Sequence, residues 1–356
     1  MIHFLTTPES ADTIRVYLKV AGAGLGGRLA PMTYPELFAA RALPTGTYCF
    51  ADLELLSDVE GARAAQRWQE LADRGCRLLN HPTRSLLRLD LLRELRRRGI
   101  NRFSAYRLTD PADAEQTKQF PVFLRTMNDH KGSLSPLLES PAALRAATEN
   151  LRLSGARLDD KLVVEFCDTA GPGGVYRKYG AFVVGDRILP RHLFFSRHWV
   201  VKDWNLLDET LLREEQDYLA TNPHERQLRE IFALARIEYG RIDYSFRGDA
   251  MQVWEINTNP IIIGMGPSRQ SPPAPSGVAA RLRAALRPAW SRLTARVPAL
   301  AALRERVAPQ PAGPARPIPR ASIHATFAAM LEPAWAAVDE VSALESPLAS
   351  ASSPHR

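Results

Sequence analysis

The sequence predicts an α/β and α+β protein: an open α/β unit, a mixed unit that ends in a β-hairpin, and a basic extension. Three observations lead there. Strand-type and helix-type segments alternate over residues 1–85, which is the pattern of an open α/β sheet. Two β-type runs, Arg241–Phe246 and Met251–Asn257, flank the turn Arg247–Ala250 and read as a hairpin. After Gly266 the composition turns to Pro, Ala, Ser and Arg. A chain of 356 residues has room for two or three compact units of about 100–200 residues each.

In chain order, Ile14–Val20 reads as a strand and is followed by Gly22-Ala-Gly-Leu-Gly-Gly27, which fits G-x-G-x-x-G. A dinucleotide fingerprint needs a helix opening at its last glycine, aimed at a pyrophosphate. Pro31 and Pro35 delay any helix to about Glu36, so a flexible glycine loop is expected instead. Thr47–Leu53 is a second strand, Val59–Arg74 a helix and Leu78-Leu79 a short third strand. The turn Asn80–Ser85 offers Thr83 or Ser85 as the cap of a helix over Leu86–Arg98, which Gly99 ends. A strand opens at Asn101-Arg-Phe103. Beyond it come a strand Phe120–Arg125, a polar loop Thr126–Ser135, a helix Pro141–Leu151, and strands Lys161–Phe166 and Tyr179–Val184. Gly185-Asp186 is a tight turn before Arg187-Ile-Leu189, and helices Asp208–Leu219 and Pro223–Glu238 lead into the hairpin.

Composition narrows the class. The chain is 45% apolar and 24% charged, as in a soluble globular enzyme. No run approaches the ~18 apolar residues of a membrane span, and the first residues lack signal-peptide architecture. A cytoplasmic protein is therefore expected, with Cys49, Cys76 and Cys167 as reduced thiols, since they lie far apart without metal-ligand spacing. The net charge of +7 is unevenly spread, because residues 269–320 hold ten arginines and one acid. Setting aside the +9 of that stretch and the −3 of residues 321–356 leaves +1 on residues 1–268. The basic pI thus predicts no specific nucleic-acid binding by the catalytic part.

The chemistry concentrates in Gly240–Pro260. Alternation puts Asp243 and Ser245 on one face of the first run, and Glu255 and Asn257 on one face of the second. A hairpin would bring Asp243 opposite Glu255 and Asn257, giving three hard oxygen ligands of the kind that suits Mg²⁺. Arg241 points the same way, toward a phosphate or a developing negative charge. Patterning alone leaves an ordinary polar surface hairpin equally open.

The string Gly240-Arg-Ile-Asp243, a spacer, then Glu255-Ile-Asn-Thr-Asn-Pro260 resembles the metal-binding end of the ATP-grasp superfamily, particularly its D-alanine–D-alanine ligase-like members. The resemblance covers about residues 80–266. It implies an ATP-grasp fold, with an N-terminal domain over 1–85, subdomains over 86–185 and 186–266 that sandwich ATP, and an extension over 267–356. It implies that Asp243, Glu255 and Asn257 hold Mg²⁺, with Mn²⁺ as an alternative, and that Arg241 contacts the transferred phosphoryl group. Phe120-Pro-Val-Phe-Leu-Arg125 is similar to the family strand Pro-Val-x-x-Lys, which places Arg125 at the usual phosphate lysine, and the earlier family lysine falls on Arg88. Both positions keep the charge but exchange a point charge for a planar fork.

Asn128–Ser133 stands where the family has a glycine-rich loop, here with Gly132 alone and Lys131 as a further phosphate contact; a plain surface loop is the alternative. Val163–Phe166 is similar to the hinge strand that meets adenine, through the Glu165 side chain or backbone groups, with Phe166 beside it. Lys178 and Lys202 stand where relatives place polar ribose or phosphate contacts. His192 and His198 fit no metal spacing and are expected to pack or to face solvent.

The resemblance implies an ATP-dependent carboxylate–amine ligase that forms an acylphosphate from a small-molecule carboxylate and passes it to an amine. Two alternatives stay open: an ATP-grasp kinase acting on a small molecule, and a catalytically weak nucleotide-binding module. In the extension, Leu282, Leu286, Trp290, Leu293, Val297, Leu300, Leu303 and Val307 form one apolar helical stripe among arginines. Such a segment suits an anionic membrane or an acidic partner. Pro288 and Pro298 interrupt it and favour a helix that packs on its own catalytic domain or stays partly disordered.

Overall fold

The computed structural model describes residues 1–109, 119–129, 132–202, 206, 208–262, 327 and 330–340. All of them belong to one compact unit, Met1–Ile263 with Ala325–Arg356. A second unit, Gly264–His324, lies outside the described residues, and with it the apolar stripe from Leu282 to Val307. Among the described residues no helix is long and apolar enough to cross a membrane.

The first sheet is parallel, in the order β2 (Leu29–Thr33), β1 (Ile2–Thr6), β3 (Thr47–Phe50), β4 (Arg77–Leu79). β1 is buried along its whole length and so shows no alternation to read. The strand expected at Ile14–Val20 is instead helix α1 (Asp12–Val20). Its Ile14, Tyr17 and Leu18 turn inward at helical spacing while Arg15 and Lys19 are exposed; the β-branched Ile14, Val16 and Val20 had mimicked a strand. The glycine run after it forms a short 3₁₀ turn, Ala23–Leu25. A Cβ on Gly24 would lie 1.6 Å from Glu332 Oε1, so that glycine lets the helix over residues 330–340 approach.

Helices α2 (Tyr34–Ala39) and α3 (Asp58–Asp73) each open on a capping box, Thr33 with Glu36 and Ser57 with Glu60. Helix α4 (Arg88–Arg97) has no side-chain cap. The expected cap, Ser85, donates to the Arg236 carbonyl at 2.8 Å instead. The strand expected from Asn101 begins later, as β5 (Ala105–Arg107), because the Asn101 amide spans the backbone of Val253, donating to its carbonyl at 2.9 Å and accepting from its N–H at 2.8 Å.

β5, β7 (Lys161–Glu165) and β6 (Val122–Thr126) form an antiparallel sheet in that order, joined by α5 (Pro141–Leu153). The last sheet runs β10 (Arg187–Ser196), β9 (Val175–Val184), β11 (Tyr239–Arg247), β12 (Ala250–Asn257), with the short β8 (Ala170–Gly171) on β9. Leu189, Phe182, Arg241 and Asn257 are register partners in one row across it, and His192, Gly180, Asp243 and Glu255 in the next row but one, on the same face. Helix α6 (Glu209–Thr221) packs on Leu193 and Phe195. The same face as Leu193, with Ala181, Val183, Ile242 and Tyr244, packs with residues of α4 and of α7 (Glu225–Ala235).

One core cluster joins the first and last sheets. Phe4, Phe182, Val184 and Tyr239 meet Phe327, Leu331, Trp335 and Val338 from the C-terminal residues. Asp339 accepts from the Met1 amino group at 2.8 Å and from Arg28 Nε at 3.1 Å. This part of the extension therefore completes the folded body. Asn80, left-handed at φ 61°, adds a polar tie: its side chain donates to the Phe50 and Tyr239 carbonyls and accepts from the Glu238 and Tyr239 N–H groups.

Candidate active site

The hairpin places the charges. Asp243 lies directly opposite Glu255 and Arg241 opposite Asn257. A register shift between Asp243 and Tyr244 leaves Trp254 without a strand partner, so it turns into the same cleft as Glu255. The Trp254 indole donates to Ser245 Oγ at 2.9 Å and stacks on Phe103.

Cations meet both Asp243 and Glu255. Arg241 Nε donates to Asp243 at 2.9 Å and Lys178 Nζ at 3.3 Å. Arg88 and Arg125 both donate to Glu255 Oε2, the latter at 3.2 Å. Burial alone would raise the Asp243 carboxyl, but Arg241 and then Lys178 outweigh it and hold it well below the usual carboxylate range. Burial, and after it the neighbouring Arg125, lowers Arg88 to about 9; burial lowers Arg125 to about 10. Both remain charged at neutral pH. Arg88 also donates to the Thr126 and Met127 carbonyls, which fixes the end of β6 beside α4.

Arg125, Lys178, Asp243 and Glu255 border a cleft between the last two sheets, and Arg88 and Arg241 adjoin it through their contacts with the two carboxylates. Trp199 packs on Phe123 at 4.9 Å and on Phe166 at 5.8 Å between ring centroids, giving it an aromatic wall. Lys178 and Lys202 line it, and Lys202 lies over Gly132, where a Cβ would come within 2.5 Å of its Cε. Gly132 itself has φ +92°, a conformation that favours glycine.

The structure thus brings together Arg88, Arg125, Lys178, Lys202, Phe166, Arg241, Asp243 and Glu255. Lys131 lies outside the described residues. Glu165 points elsewhere: its carboxylate accepts from Ser104 N–H at 2.8 Å and from the Tyr106 hydroxyl at 3.1 Å, so alternation turns it toward β5 and leaves Phe166 to the cleft. Asn257 is buried, its Oδ1 accepting from Asn259 N–H at 2.8 Å. Sequence reasoning passed over Trp254, Trp199 and Phe123; the adjacency of Trp254 to Glu255 was the one available signal. It also passed over Thr258, the residue after β12. Leu53 N–H donates to Thr258 Oγ1 at 2.9 Å and Thr258 N–H to Glu54 at 3.1 Å, tying the site to the turn that follows β3.

The opposed carboxylates and the Asn257 amide are hard oxygen donors, which fit Mg²⁺. Arg88 Nε and Arg125 Nε are buried without a hydrogen-bond partner among the described residues, and such donors suit phosphate oxygens.

No family model and no curated protein matches the chain. Among solved structures it is similar to D-alanine–D-alanine ligase from Bacillus anthracis, at 13% identity and TM-score 0.45 over 74% of this chain and 88% of that one. It is similar to N5-carboxyaminoimidazole ribonucleotide synthetase from Thermus thermophilus, at 17% identity and TM-score 0.42 over 72% and 71%. It is also similar to the ATP-grasp ligase PsnB complexed with minimal precursor, at 13% identity and TM-score 0.41 over 73% and 91%.

Proposed function

We propose that the chain is an ATP-dependent carboxylate–amine ligase of the ATP-grasp type, acting through an acylphosphate on a small-molecule carboxylate and an amine. The observation that carries this reading is a convergence of buried and half-buried cations at an aromatic cleft: Arg88, Arg125, Lys178 and Arg241 meet at the carboxylates Asp243 and Glu255. Buried charge calls for compensation, and a polyphosphate supplies it.

On this reading the base lies against Phe166 and Trp199, met by the Phe166 segment rather than by the Glu165 carboxylate. The phosphates reach Arg88 and Arg125, with Lys178 and Lys202 beside them. Asp243, Glu255 and Asn257 would hold Mg²⁺, or Mn²⁺, which when bound neutralises charge on the phosphates. A carboxylate oxygen of the substrate forms a bond to the γ-phosphorus as the bond from that phosphorus to ADP breaks. The amine lone pair then attacks the acyl carbon, the C–O bond to phosphate breaks, and the amine gives up a proton. Such transfer asks mainly for in-line positioning and preorganised charge, which Arg241 and Lys178 beside Asp243 offer to the phosphoryl group.

The test is incubation with ATP, Mg²⁺ and panels of amino acids and dicarboxylates whose carboxylates carry ¹⁸O. Release of ADP with ¹⁸O in the free phosphate supports the ligase. ADP with a phosphorylated product and no free phosphate would make the chain a small-molecule kinase, and no ADP with any panel would leave a nucleotide-binding module.

A further inference from the structure

We propose that His192 is a positioning residue that orients the Asp243 carboxylate for metal binding, an inference that rests on the reading of Asp243 as a metal ligand. The register row sets this up. His192 is paired with Gly180, and Gly180 with Asp243, so the three share one face with only a glycine in the middle.

The ring fills the space the glycine leaves. A Cβ on Gly180 would lie 2.3 Å from His192 Cε1, 2.5 Å from Nε2 and 2.9 Å from Nδ1. Gly180 therefore acts as the seat of the imidazole on the Asp243 side of the sheet. Phe194 fixes the ring's plane from the other side, stacked at 3.9 Å and 8°. His192 is 4% exposed, and its Nε2 is buried without a hydrogen-bond partner among the described residues. A ring used only for packing leaves that nitrogen an uncompensated cost, which phenylalanine would avoid.

Asp243 is held in this state by Arg241 and Lys178, the same cations the site offers to an incoming phosphate. A carboxylate that binds a metal keeps its orientation through an outer hydrogen bond, and losing such a bond typically costs about 10–100-fold in metal affinity. His192 supplies that bond when the two cations turn to the ligand.

The experiment measures Mn²⁺ affinity by electron paramagnetic resonance in the presence of ADP. His192→Phe, which keeps the stack on Phe194, should weaken Mn²⁺ about 10–100-fold while ADP affinity in EDTA stays unchanged. His192→Gln, which restores a nitrogen donor near Nε2, should recover most of the loss. Gly180→Ala should reproduce the loss with His192 still present, and it decides the matter with the Gln variant if His192→Phe does not fold. Wild-type Mn²⁺ affinity in His192→Phe, or a Gln variant no better than Phe, overturns the inference and assigns the ring to packing. Asp243→Asn serves as the control. If it too binds Mn²⁺ as the wild type does, the metal-site reading itself fails; if it alone is weakened, only the role of His192 falls.

Discussion

Removing Arg88 should cost more than removing an ordinary ion pair, and a mutant cycle can show why. In its pair with Glu255 the arginine side chain is 5% exposed and the glutamate 13%, so neither partner can recover full hydration alone. Deleting one member of a buried pair costs about 3–5 kcal/mol. Arg88→Met should sit near the low end, about 3 kcal/mol, because Arg125 still donates to Glu255 at 3.2 Å. The Thr126 and Met127 carbonyls lose a donor as well. Glu255→Gln alone leaves two buried guanidinium groups facing each other, and the influence of Arg125 on Arg88 makes that repulsive. The double variant should therefore be more stable than the two single losses imply, by about 1–3 kcal/mol. Urea titrations of the four proteins, with unchanged m values, give the coupling directly. Losses that add within about 0.5 kcal/mol would refute the claim that these charges form one buried network.

Three further outcomes rest on the same geometry. Trp335→Ala should cost about 3–5 kcal/mol, since the indole is fully buried between Phe4 and Tyr239; a loss under about 1 kcal/mol in a urea titration would detach the C-terminal helix from the core. Arg125→Lys should keep measurable Mg²⁺-ATP affinity by calorimetry and Arg125→Ala very little, and equal affinity in wild type and Ala variant would remove Arg125 from the phosphate site. Asp243 is held below its ordinary 3.8 in the fold, so its contribution to stability is present above that value and drains away as pH falls beneath it. Asp243→Asn should flatten that acid limb in calorimetric scans, and an unchanged limb would mean the ion pairs with Arg241 and Lys178 contribute nothing.

The hairpin was legible because its polar residues alternate on either side of a Gly248 turn, and the register it implied, Asp243 against Glu255, is the one observed. Helix α3 was legible from its amphipathic run, which opens at Ser57 with Glu60. Other parts were hidden for physical reasons. β1 is buried on both faces, so it carries no periodic signal, and α1 was misread because the β-branched Ile14, Val16 and Val20 are spread along it. The direction of Glu165 depends on which neighbour, Ser104 or the cleft, its face of β7 meets, and that is a tertiary fact. The same holds for Trp254, which reaches the cleft only through the register shift, and for His192, whose place beside Asp243 depends on strand order across β10, β9 and β11. Trp335 joins a core built around Phe4, a separation in the chain that no local pattern reveals.

If Asp243 and Glu255 support transfer of the γ-phosphoryl group of ATP, the fate of that group decides the matter. The assay follows [γ-³²P]ATP with Mg²⁺ in mixtures of carboxylates and amines, for wild type, Asp243→Asn and Glu255→Gln, each confirmed folded by circular dichroism. Labelled free phosphate is expected from the wild type only when a carboxylate and an amine are both present, with a rate lower by about 10²–10³ in each variant. Labelled phosphate released by the variants at the wild-type rate would contradict the role of both carboxylates.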